Sequence, residues 1–177
     1  MFGVDKFSRF EEAILPHLDA AYNLARWLMR NEDAAADAVQ DACVRALRFF
    51  GGFRGGDGRV WLLAIVRNTC YSRLQQRAAR EQDAEFDDEV HSHEIESPNP
   101  EALLERTQDN ELLQHALEEL PDGLREIVVM RELEGMAYKD IAQIAGVPLG
   151  TVMSRLARGR KRLQQALTVN LRKESPN

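Results

Sequence analysis

The sequence predicts an all-α protein made of two small helical bundles joined by a flexible acidic linker. Apolar residues recur at helical spacing along most of the 177 residues, and no stretch alternates convincingly with the period of two that a strand requires. Charge is also segregated along the chain. Residues 45–80 hold eight arginines and one acid, residues 81–111 hold twelve acids and one cation, and residues 150–173 hold seven cations and no acid. This layout indicates two modules that face polyanions, separated by an acidic segment.

The domain boundaries follow from the same patterns, with one bundle at 1–80, the linker at 81–108 and the second bundle at 109–177. The segment after Arg80 is acidic, poor in large apolar residues and ends in Ser-Pro-Asn-Pro, which is typical of a linker. The longest apolar run, VWLLAIV, is too short to cross a bilayer, and the amino terminus lacks an apolar signal segment. We therefore expect a cytoplasmic protein that does not insert into membranes. Cys43 and Cys70 lie in apolar helical patterns, which favours buried thiols over a disulfide.

Three helical segments are predicted in the first bundle, at about 7–30, 33–50 and 60–79. Within the first, Pro16 either kinks the helix or opens a second helix at its first turn. The second has an apolar stripe at spacings of four, three and four, formed by Val39, Cys43, Ala46 and Phe50. A glycine-rich loop, GGFRGGDG, precedes the third. Its expected buried side is formed by Leu63, Val66, Cys70 and Leu74.

Four helical segments are predicted in the second bundle. They are ELLQHALEEL, which ends at Pro121, LREIVVMRELEG, which Gly135 closes, YKDIAQIAG, and the segment that begins GVPLGTVMSRLARGRKRL. The last two have the features of a helix-turn-helix, because Gly146 supplies a permissive backbone at the turn and Pro148 suits the start of a helix. The expected inner face of the first is Ile141, Ala142 and Ala145. That of the second is Val152, Leu156, Gly159 and Leu163.

The last predicted helix carries cations on the face opposite its apolar stripe. Arg155, Arg158 and Arg162 repeat at spacings of three and four, and the helix contains no acid as far as Lys173. Surface helices normally mix charge signs and so gain pairs between residues four apart. A merely solvated face is the alternative, but the turn, the apolar stripe and the missing acids favour a helix that presents cations and Ser154 to a major groove.

The carboxy-terminal segment LEELPDGLREIVVMRELEGMAYKDIAQIAGVPLGTVMSRLARGRKRL resembles the promoter −35 binding domain of bacterial sigma-70 family RNA polymerase sigma factors, in their extracytoplasmic-function branch. The shared features are Leu-Pro before an Arg-Glu helix, a Glu-Gly turn and Gly-Thr-Val-x-Ser-Arg-Leu-x-Arg-x-Arg. Met153 departs from the pattern, since many members carry Arg or Lys there. The resemblance implies a factor that directs core polymerase to promoters, recognises −35 and −10 elements and assists melting. The implied −35 residues are Thr151, Ser154, Arg155, Arg158 and Arg162.

Within that set we expect Arg155 and Arg158 to reach guanine edges, which discriminate between sequences. The neighbouring Arg160, Lys161 and Arg162 are expected to contact phosphates, which add affinity without sequence information.

The amino-terminal half shows two matching resemblances. NEDAAADAVQDACVRALRFF is similar to the segment with which these factors bind the clamp helices of RNA polymerase, and the implied polymerase-binding residues are Asp37, Gln40, Asp41 and Val44. FRGGDGRVWLLAIVRNTCYSRLQQRAAR resembles the −10 element reader, which holds a base flipped from the stack. The implied −10 residues are Phe53, Arg54, Gly55, Asp57, Asn68, Ser72, Arg73 and Arg77. Trp61 is a candidate stacking platform, but its neighbours Leu62 and Leu63 favour a core position.

The resemblance implies three partners: core RNA polymerase, promoter DNA and an anti-sigma factor. The contacts with polymerase would be made to the clamp helices of the largest-subunit pair and to the flap of the other large subunit. The remaining alternative is a stand-alone regulator that binds operator DNA without polymerase. We further hypothesise that the acidic linker covers the basic surfaces of both bundles and competes with DNA when polymerase is absent.

An enzyme is not expected. None of the four histidines lies near a cysteine or a carboxylate pair at a helical ligand spacing, and neither a nucleophile elbow nor a phosphate loop is present. We therefore predict no catalytic residue, no cofactor and no metal. A weak metal site at His91, His93 and Glu94 in the linker is the alternative.

Overall fold

The computed structural model describes residues 2–84 and 108–174, which are helical apart from short turns. The N-terminal group of helices comprises α1 (Phe2–Ile14), α2 (Leu18–Met29), α3 (Glu32–Phe49) and α4 (Gly58–Ala84), with 3₁₀ turns at Leu15–His17 and Phe50–Gly52. The C-terminal group comprises α5 (Gln108–Glu118), α6 (Asp122–Val128), a π-helical turn at Val129–Leu133, α7 (Tyr138–Ala145) and α8 (Leu149–Glu174). The prediction of an all-α protein is confirmed.

Part of the predicted linker lies outside the described residues. This applies to 85–107, and hence to the possible metal ligands His91, His93 and Glu94 and to the hypothesis of an inhibitory linker. Within the described ranges, none of the helices combines the length and the apolar character that a membrane span requires.

The first predicted helical region is two helices. Pro16 lies in the 3₁₀ turn between α1 and α2, so the alternative in which it opens a second helix describes the structure better than a kink. The helix α2 ends at Met29, and the next residue, Arg30, caps it in a left-handed conformation with φ of 59°. The next helix starts at once, because the Asn31 side chain accepts a hydrogen bond from the backbone N–H of Ala34 at 2.8 Å. Two long helices therefore follow each other with a very short connection.

The helices α2, α3 and α4 pack against one another, and every buried residue of α3 is an alanine. The buried alanines are Ala21 and Ala25 on α2 and Ala35, Ala38, Ala42 and Ala46 on α3. The predicted stripe on α3 was partly wrong, since Val39 and Cys43 are only half-buried. Small side chains let helix axes approach closely, so the tightest face of α3 is centred on alanines rather than on its larger apolar residues.

The start of α4 is fixed by a cap and a close approach. The Asp57 carboxylate accepts the backbone N–H of Arg59 at 2.9 Å, which satisfies an orphan donor of the first turn. A Cβ on the buried Gly58 would lie 2.1 Å from the carbonyl oxygen of Ala13, so only glycine fits between α4 and α1. Further along, the predicted inner side of α4 is buried at Leu63, Val66 and Cys70 and half-buried at Leu74.

In the C-terminal group, two glycines end helices as predicted. Gly135 follows the π-helical turn with φ of 62°, and Gly146 closes α7 with φ of 66°. A third glycine permits close packing, since a Cβ on Gly159 of α8 would lie 2.6 Å from Cγ2 of Val128 on α6. The π-helical turn was not predicted, because the sequence pattern there continues that of an α-helix.

The two groups pack against each other. Their buried apolar residues form one continuous cluster, in which α4 lies against α7 and α2 against α6. The segments that precede and follow 85–107 are therefore in contact within the described structure.

Candidate nucleic-acid interface

The helix-turn-helix is formed by α7 and α8. The backbone of Gly146 turns the chain, and the carbonyl of Pro148 accepts the N–H groups of Thr151 and Val152 at 3.0 and 3.2 Å, which starts α8. Val152, Leu156 and Gly159 are buried and Leu163 is half-buried, as their spacing predicts. The packing of α8 on α6 and α7 therefore fixes which of its faces is left to solvent.

That solvent face contains the predicted −35 residues. Ser154, Arg158 and Arg162 are exposed, whereas Thr151 and Arg155 are half-buried. The Ser154 hydroxyl donates to the carbonyl of Thr151 at 3.1 Å, and Met153 is exposed beside it. Within residues 2–84 and 108–174, no hydrogen bond or ion pair engages the guanidinium groups of Arg155, Arg158 and Arg162. These three cations are available to a ligand.

Arg160 differs from its neighbours. Its Nε donates to the Glu132 carboxylate at 2.6 Å, and this hydrogen bond raises the pKa of Arg160 above its ordinary value. Lys161 and Arg162, which directly follow it, are exposed. The three predicted phosphate contacts are thus unequal, because one of them already has a carboxylate partner.

In the glycine-rich loop before α4, some residues pack against other aromatic rings and others are exposed to solvent. The Phe53 ring stacks on Phe50 at 5.4 Å between centroids and lies 5.2 Å from the ring of Trp61. Trp61 is half-buried against the core, in agreement with its assignment. Arg54 and Gly55 are exposed, and Gly55 adopts φ of 85°. Asp57 caps α4. Among the predicted loop residues, Arg54 and Gly55 are therefore the ones that are exposed and neither stack nor cap.

Along α4, the predicted −10 residues lie on or near the surface. Asn68 is exposed and Ser72 half-buried. Two arginines already pair with carboxylates: Arg73 binds Asp41 of α3, with Nε 3.1 Å from Oδ2, and Arg77 lies 3.6 Å from Glu81. A residue predicted to bind DNA and one predicted to bind polymerase therefore bind each other here.

The predicted polymerase-binding residues form one exposed face of α3. Asp37, Gln40, Asp41 and Val44 are all exposed, and Val44 is 54% accessible. Two exposed apolar residues were not predicted: Leu47 lies on the same face, three residues beyond Val44, and Phe49, at the end of the helix, is 62% exposed. The spacing from Val44 was the signal that pointed to Leu47.

Two further arginines of α4 were also missed, Arg59 and Arg67. Arg67 pairs with Glu126 of α6, and Arg59 lies 3.5 Å from the carboxylate of Glu134. Burial lowers the pKa of Arg67, but its hydrogen bond and charge attraction with Glu126 raise that pKa on balance. Burial and the charge of Glu126 both raise the pKa of the neighbouring Tyr71 hydroxyl. No local sequence signal links α4 to α6, because the partners are far apart in the chain.

Comparisons with known proteins agree with this division of the chain. Residues 13–80 match the family model for sigma-70 region 2, and residues 110–163 match that for sigma-70 region 4. The RNA polymerase sigma-H factor of Pseudomonas aeruginosa is 33% identical over 172 residues, covering 92% of this chain and 88% of that protein. The ECF RNA polymerase sigma factor SigE of Mycolicibacterium smegmatis is 32% identical over 158 residues, or 89% of this chain, and this chain spans about three fifths (61%) of that protein.

A solved structure is also similar. It is the sigma factor RpoE in complex with the anti-sigma factor NepR from Bartonella quintana, with a TM-score of 0.74 and 32% identity, covering 91% of this chain and 98% of that one. The helix-turn-helix, the exposed arginine face and both family matches lead to the same assignment. This chain belongs to the sigma-70 family of RNA polymerase sigma factors, in the extracytoplasmic-function branch, and serves promoter-directed initiation of transcription.

Proposed function

We propose that the three exposed surfaces divide promoter recognition among themselves. In this proposal α8 binds the −35 duplex, the loop 53–57 and α4 bind the −10 element, and α3 binds core RNA polymerase. The observation that carries the proposal is the face of α8 formed by Arg155, Arg158 and Arg162. The opposite face of the helix is buried, and these three guanidinium groups have no internal partner among the described residues.

The −35 contacts follow from the position of that face. Arg158 projects from the middle of the exposed surface, and Arg155 lies at its edge, with Nη1 3.8 Å from the position of a Cβ on Gly123. Bidentate Arg–guanine contacts in a major groove discriminate by about 1–3 kcal/mol each. Thr151 and Ser154 supply short polar groups on the same helix, and Arg162 reaches phosphates.

The −10 contacts use Arg54, Gly55, Asn68 and Ser72 first, since these are not occupied by ion pairs within the described residues. Arg73 and Arg77 contribute after exchanging their carboxylates for phosphates. Phe53 and Asp57 act chiefly by holding the loop, through aromatic stacking and the α4 cap. An exposed amide beside a glycine-rich loop suits a base that has left the stack.

The polymerase contact uses the exposed α3 face, which combines carboxylates, an amide and apolar groups. Asp37, Gln40 and Asp41 suit arginines of a partner helix, and Val44 with Leu47 adds apolar area at the same face. The relevant partner surface is the clamp helices of the largest-subunit pair. The C-terminal group binds the flap of the other large subunit. In this arrangement 1–80 acts as region 2, 81–108 as the linker and 109–177 as region 4.

Two further aspects belong to this proposal. The protein works in the cytoplasm, where its polymerase is, and acts by binding alone, without catalytic residues, cofactor or metal. An anti-sigma factor holds it inactive until it is needed, and the similarity to a sigma factor solved with NepR supports that partner class.

The test is run-off transcription with purified core polymerase on genomic promoter fragments. We expect promoter-specific transcripts with the wild-type protein, and loss of them in Arg158→Ala and in Gln40→Ala/Asp41→Ala for different reasons. Arg158→Ala should retain core affinity, whereas the α3 double variant should lose core affinity and keep thermal stability, because exposed polar changes shift stability by only about 0.5 kcal/mol.

Asn68→Ala provides a separate test of the −10 assignment. The variant should impair promoter opening, measured by permanganate reactivity, more strongly on a duplex promoter than on a pre-melted template. Specific duplex binding without any transcript on core polymerase would instead support the stand-alone regulator.

A further inference from the structure

The solvent face of α8 has two chemically different sides. Leu149, Met153 and Ala157 follow one another at a spacing of four residues, so they form a continuous apolar stripe along the first part of the helix. All three are exposed, and the accessible fractions of Leu149 and Met153 are 49% and 52%. At about 100° per residue, this stripe lies on one side of Ser154 and Arg158 lies on the other. The surface proposed for the −35 duplex is therefore apolar on one side and cationic on the other.

The nearest arginine on the apolar side already has a partner. Arg160, three residues beyond Ala157, donates from Nε to the Glu132 carboxylate at 2.6 Å. On the cationic side, by contrast, the Arg158 guanidinium has no internal partner among the described residues. The charge that attracts phosphate is thus concentrated on the side of Arg158, and the apolar stripe suits a ligand other than phosphate.

The stripe begins at the start of the second helix of the helix-turn-helix. Leu149 is the first residue of α8, and Met153 lies about one turn later. In this motif the N-terminal residues of the second helix reach the base edges in the major groove. From Leu149 to Ala157 the stripe covers about 12 Å, or roughly three to four base-pair steps of duplex. In a helix that docks in this way, the apolar stripe meets bases rather than the sugar-phosphate backbone.

The major groove presents a single kind of apolar group. Every base pair exposes hydrogen-bond donors or acceptors there, and thymine alone adds a methyl group, at C5. An apolar side chain that contacts this methyl group is stabilised by the area that both remove from water. Methionine suits such a contact, because its unbranched, polarizable side chain adapts to the shape of its neighbour. The thymine methyl group is therefore the partner that fits an exposed Met153 in this position.

We propose that Met153, together with Leu149, binds the C5 methyl group of a thymine in the −35 element and so determines which base is accepted at that position. The inference rests on the proposed function, because it assumes that α8 binds the −35 duplex. The apolar side of the helix then selects thymine, whereas the arginine side selects guanine. Loss of the Met153 side chain changes which sequence is preferred, and it leaves the phosphate contacts of the cationic side in place.

Removal of the methyl group from the DNA tests the proposal. A promoter fragment with randomised −35 positions is first selected for binding to holoenzyme, assembled from core polymerase and the full-length protein. Each −35 thymine of the selected fragment is then replaced in turn by deoxyuridine, which forms the same base pair and lacks only the methyl group. At one of these positions we expect the wild-type holoenzyme to bind about fourfold more weakly, which is the factor that burial of one methyl-sized group gives.

Two variants show whether Met153 is the residue that senses the methyl group. Met153→Ala should bind the thymine and deoxyuridine fragments almost equally. The matched control is Val169→Ala, because Val169 is 50% exposed on the same helix but lies about four turns beyond Met153. This control should keep the wild-type ratio, and circular dichroism checks that both variants remain helical.

The possible results separate the inference from the proposed function. Equal binding of both fragments by the wild type at every −35 thymine would overturn the inference, and so would a wild-type ratio in Met153→Ala. Loss of core-polymerase affinity in Met153→Ala would also overturn it, by showing that the stripe binds protein. Failure of the wild-type holoenzyme to select any −35 sequence would overturn the proposed function instead.

Discussion

The arginines of α4 and those of α8 look equivalent in the sequence and differ in the structure. On α4, Arg59, Arg67, Arg73 and Arg77 each pair with a carboxylate. On α8, Arg155, Arg158 and Arg162 make no such pair within 2–84 and 108–174. Under the proposed function α8 therefore binds phosphates and bases directly, whereas α4 must first exchange its carboxylate partners for phosphates.

The difference shows that the number of cations on a helix does not indicate how many of them are available to bind DNA. Net charge over residues 45–80 is strongly positive, but the packed neighbours of α4 supply acids that the local sequence does not contain. A helix whose arginines must leave carboxylates to bind phosphates gains less free energy from each phosphate contact, because it loses a carboxylate contact at the same time. With the roles proposed above for α8 and α4, we therefore expect the −35 element to be bound before the −10 element.

We expect the largest effect on stability from replacing Arg125, which anchors the C-terminal group. Its guanidinium donates to the carbonyls of Leu117, Glu118 and Leu120, and to Asp122. We expect Arg125→Met to lower the free energy of unfolding by about 3–5 kcal/mol, because several buried acceptors lose a charged donor. Urea denaturation of the full chain measures this.

The matched control for that change is Arg131→Met. Arg131 is half-buried and donates to the Met136 carbonyl at 2.8 Å, so its loss should cost about 1 kcal/mol. Equal losses in the two variants would contradict the special position of Arg125.

The next largest effects on stability are expected at the two close-packed glycines. Gly58→Ala places a Cβ against the backbone oxygen of Ala13, while Gly159→Ala places one against the side chain of Val128. Overpacking typically costs about 1–3 kcal/mol, and we expect Gly58→Ala near the upper end because a backbone atom yields less readily than a methyl group. Thermal unfolding measures both, and Gly150→Ala, with nothing within 4 Å of its Cβ, should be stabilised or unchanged. The reverse order would show that the N-terminal group is the more compliant half.

Salt dependence of −35 duplex binding sharpens the comparison within α8. Each phosphate contact changes the slope of log K against log salt by about 0.9. Arg162→Ala should therefore reduce the slope by about 0.9, and Arg160→Ala by clearly less, because Glu132 already neutralises part of its charge. Fluorescence anisotropy across a salt series measures both slopes. Identical reductions would mean that the Arg160 pair breaks freely on binding.

The smallest effect is expected at the pair between Asp41 and Arg73. Both side chains are substantially exposed, so a double-mutant cycle with Asp41→Ala and Arg73→Ala should give a coupling of about 0.2–1 kcal/mol in urea unfolding. A pair this weak releases Asp41 to polymerase and Arg73 to phosphate at little cost. A coupling well above that range would place Arg73 with Arg59 and Arg67, whose ion pairs join the two helical groups.

Local features of the fold were predictable from the sequence because short-range rules control them. The turn at Gly146 and the stripe of Val152, Leu156 and Gly159 follow from glycine conformation and helical spacing, and the structure confirms them. The buried face of α3 was harder to predict, because alanine gives a weak hydrophobic signal. The predicted stripe was therefore placed on the larger residues Val39 and Cys43.

The charged contacts depend on long-range packing, and this limited the prediction of the site. Arg67 and Glu126 are 59 residues apart, and nothing in either segment indicates the other. The residues predicted to bind DNA and polymerase lie largely on the surface, but which of them are already paired became evident only from the packed helices. The assigned roles of these residues stay predictions.

The π-helical turn at Val129–Leu133 has a consequence for the spacing of two carboxylates. A turn of this kind holds about one more residue than an α-helical turn, and each residue of a helix changes the direction of its side chain by about 100°. Glu132 lies within the turn and meets Arg160 of α8, and Glu134 follows the turn and meets Arg59 of α4. Deleting one residue from the turn would change the direction of both carboxylates together, so the two contacts depend on the number of residues here as well as on their identity.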